Sequence, residues 1–90
     1  MTPMYHPAER AQELLNEQNT LAKAELDIEQ GWGRLRNQQD LLSDLERMGR
    51  DTRQAERLVQ LMKQTLLEWE RHRVLIEQRV AYLEKDISGT

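Results

Sequence analysis

Two sets of apolar residues repeat along this chain, and they differ in kind. In the second half, Ala55, Val59, Met62, Leu66, Trp69, Arg73, Ile76, Val80, Leu83 and Ile87 follow alternating steps of four and three. This is an a/d seam sustained over more than four heptads and broken only by Arg73. In the first half, Leu14, Leu21, Ile28, Leu35 and Leu42 recur at every seventh position. A step of four from each gives the companion row Gln18, Glu25, Trp32, Gln39 and Glu46, polar apart from one Trp. The pattern predicts two long amphipathic helices, one with a full apolar stripe and one with half of one.

Local signals place the ends of these helices. Both prolines, Pro3 and Pro7, precede the first row, and Pro7 suits a first helical position because its missing N–H has no helical partner. Residues 1–6 read as a flexible N-terminal tail and helix 1 as about 7–48. Gly49 reads as a C-terminal cap, since glycine enters the left-handed conformation without penalty. The turn, 49–52, rests on Gly49, Asp51 and Thr52. Asp51 or Thr52 caps helix 2, and Asp51 with Gln54 has the capping-box spacing. Helix 2 extends over about 52–87, leaving 88–90 as the C-terminal end.

Folding the helices antiparallel about this turn brings their heptads into phase. Residues at one height then have numbers adding to roughly 101, because both helices rise equally per residue. Leu14 meets Ile87, Leu21 meets Val80, Leu35 meets Leu66 and Leu42 meets Val59. In the alternate layers Trp32 meets Trp69 and Gln39 meets Met62. Arg73 falls opposite Ile28 and one turn from Glu25, so a Glu25–Arg73 ion pair would satisfy a charge that is costly to bury alone. The fold class is all-α: a long, antiparallel, coiled-coil-like two-helix hairpin over residues 7–87.

Such a hairpin is short of core. Two helices bury little, and small scaffolds without disulfide or metal usually need another staple. Leu15, Ala22, Leu26, Leu41 and Leu45 on helix 1 lie outside the seam, as do Leu58, Leu61, Leu67, Val74, Leu75 and Tyr82 on helix 2. A face this wide belongs in a bundle, so a homodimer of hairpins forming a four-helix bundle is expected.

Composition narrows the setting without changing the fold. Charged residues make up 32% against 4% aromatic, the balance of long helices rather than a layered α/β domain. The net charge of −3 does not mark the whole molecule as a binder of polyanions. No cysteine is present, which removes disulfides and thiolate metal sites and suits a reducing compartment. No apolar run is long enough for a membrane span, and the N-terminal residues lack the regions of a secretory signal. A cytoplasmic protein is expected.

Few residues suggest chemistry. Gly31-Trp32-Gly33 places two helix-weakening residues mid-helix, which reads as room for the indole rings of Trp32 and Trp69 rather than a ligand window. Glu68 and His72 stand four apart with no second copy, so no metal or other cofactor is expected. Arg47, Arg50, Arg53 and Arg57 make a basic tip interleaved with Asp44, Glu46, Asp51 and Glu56, and ion pairing accounts for this better than phosphate binding. Ser43 and Ser88 have no base at readable spacing, and no phosphate-binding loop follows a strand, so an enzyme is not expected.

Ile28-Glu29-Gln30-Gly31, Arg36-Asn37-Gln38, Gly49-Arg50-Asp51-Thr52, Ala55-Glu56-Arg57-Leu58 and His72-Arg73 occur in this order over about half of the chain. Together they resemble a family of short, uncharacterised helical proteins of alphaproteobacteria, especially rhizobia-like bacteria. The Gly-x-Asp-Thr turn is the most specific part, and Trp32-Gly33 departs from the charged or polar helix formers expected there. The resemblance implies a fixed interhelical turn and carries over no activity. The function expected is a non-enzymatic interaction module acting through protein–protein contacts, as a homodimer or with an unidentified protein partner. The alternative is a small regulatory nucleic-acid-binding protein that uses the arginine tip.

Overall fold

A computed structural model of the chain describes residues 7–89. The tail expected over residues 1–6, and Thr90, lie outside the described residues. Helix α1 spans Pro7–Arg47 and helix α2 spans Arg53–Ser88, with no strand among the described residues. The two helices lie side by side and antiparallel, giving a rod of 74 × 16 × 15 Å. The chain is an all-α, extended helical hairpin.

The reversal begins at Gly49, whose φ of 67° is the left-handed conformation that a side chain disfavours. The Arg50 N–H donates to the Leu45 carbonyl at 2.9 Å, and the Gly49 N–H to that of Glu46 at 3.1 Å. This crossed pair is the Schellman motif, which satisfies carbonyls that the end of α1 would otherwise leave without partners. Thr52 occupies the N-cap of α2 but makes no side-chain capping bond; its hydroxyl lies 3.2 Å from Glu56 Oε1. Asp51 supplies the acceptor one residue earlier, taking the Arg53 N–H at 3.1 Å. The Asp51–Gln54 capping box is therefore replaced by an Asp51–Arg53 contact.

Inside the seam, Leu35, Val59 and Leu66 form a buried cluster with Leu42 and Met62 packed against it. Ile28, Ala55, Ile76 and Val80 are also buried, and Leu83 is wholly enclosed at 0% exposure. Burying such a side chain fully contributes about 2 kcal/mol. Leu14, Leu21 and Ile87 are half-buried toward the open end.

The companion row of α1 differs from the expected one. Of the expected row, Gln18, Glu25, Trp32 and Glu46 are exposed and Gln39 is half-buried, whereas Glu17, Ala24, Gly31, Gln38 and Leu45 are all half-buried. The row facing α2 thus lies three residues after each leucine, not four. Both steps continue a heptad, but Ala24, Gly31 and Leu45 enter a contact more cheaply than a row holding two glutamates and an indole. Two expected contacts change with this rotation. Trp32 turns aside, its Nε1 donating to Glu70 Oε1 at 3.4 Å, while the ring of Trp69 lies over Gly31. Arg73 pairs with Glu77 on its own helix at 3.5 Å, and Glu25 is exposed to solvent.

Candidate functional site

A helical hairpin has two flanks, one on each side of its seam. On one flank near the turn, α1 contributes Gln38, Leu41 and Leu45 while α2 contributes Gln54, Ala55 and Leu58 around a shallow groove. The surface continues along the rod as a second groove lined by Gly31, Arg34, Leu58, Leu61, Met62, Thr65, Leu66 and Trp69. Helical geometry explains the grouping. Leu58 and Thr65 flank the α2 seam at heptad spacing, Leu61 stands one turn from each, and Arg34 and Leu41 repeat likewise on α1.

This surface is mainly apolar and open to solvent. Leu41, Leu58, Leu61 and Trp69 are all exposed, Trp69 by 39%. Arg34 is the one charged residue lining the second groove. Gly31 forms part of the floor: a Cβ there would stand 2.6 Å from Leu66 Cδ2 and 3.4 Å from the Trp69 ring. Gly33 is different, with only the Arg36 guanidinium near its Cβ position, at 4.0 Å. The glycine pair thus divides into one residue that packs and one that does not.

Farther from the turn the same flank becomes ionic. Arg79 lies 3.5 Å from Glu17 and 3.9 Å from Glu13, and Arg10 reaches Asp86 at 3.4 Å and Glu13 at 3.0 Å. The Arg10 guanidinium is held above its ordinary pKa, chiefly by its hydrogen bond to Glu13. Partly exposed pairs of this kind contribute little individually, so this network fixes orientation more than it stabilises. The opposite flank carries the Trp32–Glu70 and Arg73–Glu77 contacts beside exposed Leu67 and Val74.

The arginine tip is partly spent on local pairs. Arg47 pairs with Asp44, and Arg53 meets Asp51 at 2.9 Å through Nη2 and 3.1 Å through Nε. These bonds and the Arg53 N–H hold the Asp51 carboxyl below the usual carboxylate range. Among the described residues no group of three or more acidic, His or Cys side chains is placed to hold a metal ion. No helix there is long and apolar enough to cross a membrane.

Of the residues singled out beforehand, Leu35, Leu42, Val59, Met62 and Leu66 meet in one cluster. Trp32 leaves the seam, Trp69 stays partly exposed with its ring against Gly31, and Arg73 pairs with Glu77 rather than with Glu25. The row Glu17, Ala24, Gly31, Gln38, Leu45 was not expected, nor was the ionic network of Arg10, Glu13, Glu17, Arg79 and Asp86. Small residues at heptad spacing, Ala24 and Gly31, are the signal for the first. The second is visible only once the register between helices is known.

The class these features define is a long helical hairpin with an apolar flank near its turn. Comparison with protein-family models, with curated proteins and with solved structures found no match in any of the three.

Proposed function

We propose that this chain is a non-enzymatic helical interaction module that works through protein–protein contacts as a homodimer, two hairpins closing a coiled-coil-like four-helix bundle. The observation that supports this reading is the number of large apolar side chains left outside the seam: Leu15, Leu26, Leu41, Leu58, Leu61, Leu67, Leu75 and Tyr82 are each over two-fifths exposed. Single exposed leucines are ordinary on protein surfaces, but grouped ones mark contact sites. The alternative, a small regulatory nucleic-acid-binding protein using the arginine tip, is less favoured because Arg47 and Arg53 already serve Asp44 and Asp51, which leaves it Arg50 and Arg57. Sedimentation equilibrium of the purified chain over a range of concentrations tests the proposal. A dimer in reversible exchange with monomer is expected, and a folded monomer at every concentration would rule it out.

A further inference from the structure

We infer that the second copy seats on the turn-proximal apolar flank, with Leu41, Leu45, Leu58, Leu61 and Trp69 at the centre of the contact. This inference rests on the homodimer reading and adds the surface that carries it.

The first argument is area. The chain exposes 7150 Å², whereas a compact monomer of its mass exposes about 5500 Å². The excess is on the order of 1500 Å². Half of that would supply the roughly 800 Å² per partner of a stable protein–protein interface. A second identical rod laid alongside covers such a surface along its length, and a two-fold axis gives both copies the same contact.

The second argument distinguishes the flanks. A stable interface has a dry apolar centre with charge confined to its rim. From Trp69 to the turn, the apolar flank presents Leu41, Leu45, Leu58 and Leu61 around two adjoining grooves, in which Arg34 and Asp51 are the charged lining residues. The opposite flank places the charged groups Glu70, Arg73 and Glu77 beside the seam, where a dry contact would have to desolvate them. Farther along the apolar flank, the ion pairs of Arg10 and Arg79 end the dry surface. The patch therefore has defined limits on three sides, and the seam residues Met62 and Leu66 make its floor continuous with the hairpin core.

The test compares two double variants of the full chain by sedimentation equilibrium, with helicity followed by circular dichroism. Leu58→Glu/Leu61→Glu should raise the dimer dissociation constant by at least about tenfold, while Leu67→Glu/Val74→Glu leaves it within about threefold of wild type. The reverse ranking would overturn the assignment of the face while leaving the dimer intact. A wild-type chain that stays monomeric would remove the dimer reading itself. If the glutamates unfold the hairpin, cysteine trapping takes their place, because the chain has no cysteine of its own. Leu58→Cys and Leu61→Cys should oxidise to covalent dimers faster than Leu67→Cys and Val74→Cys. Equal or inverted rates would refute the proposed face.

Discussion

At Gly31 a missing side chain does two opposed things. It weakens the helix by about 1 kcal/mol relative to alanine. It also leaves the space into which Leu66 and the Trp69 ring pack. Leu66 is buried and has little freedom to withdraw, so an added methyl would overpack the contact. Gly33 carries the same backbone penalty with open space around it. Gly33→Ala should therefore stabilise the hairpin by about 1 kcal/mol, and Gly31→Ala should destabilise it by about as much. Urea unfolding of both variants measures the difference, and equal stabilisation by both would show that Gly31 does not pack as described.

At the scale of the elements, the turn and the seam were legible in the sequence to different degrees. Gly49 stood out because a helix-forming run ends there and few other residues enter the left-handed conformation. The α2 stripe was legible because its apolar residues are dense. The facing row of α1 was not, because steps of three and four both preserve a heptad and neither companion row is uniformly apolar. The choice falls to close approach at Ala24 and Gly31, which depends on the partner helix and not on the pattern of one strand of sequence. The Glu25–Arg73 expectation failed for the same reason: it required the other row to face inward. Of the two cap candidates, Thr52 holds the N-cap position while Asp51 supplies the side-chain acceptor, and Asp51 shows the consequence. Its carboxyl lies below the usual range because Arg53 donates to it from both side chain and backbone. A group with a lowered folded pKa stabilises above its unfolded pKa, and that contribution is lost as pH falls through the folded value. Asp51→Asn retains an acceptor but not the charge. The gap in thermal midpoint between wild type and Asp51→Asn should be widest near neutral pH and close on acidification; a gap independent of pH would contradict this.

At the scale of the whole molecule, the rod shape sets what association can look like. The hairpin is 74 Å long and about as thick as two helices. Copies that pack by their flanks double the thickness and add length only where they overlap incompletely, whereas copies meeting at their tips nearly double the length. Because the proposed contact occupies the turn-proximal half, small-angle scattering of the dimer should give a longest dimension well below twice that of one hairpin. A value near twice would place the contact at the ends.

The Schellman turn at Gly49 also bears on how the hairpin comes together in time. Contacts such as Leu42 with the Val59 cluster join residues close in sequence, while those of Arg10 with Asp86 join residues near opposite ends of the chain. The entropy of closing a loop grows with its length, so the layers next to the turn form at the lowest cost and each makes the next one cheaper. These costs favour closure like a zipper from Gly49 outward and opening from the free ends first. The apolar flank lies in the half that this order would assemble while the ionic end is still apart.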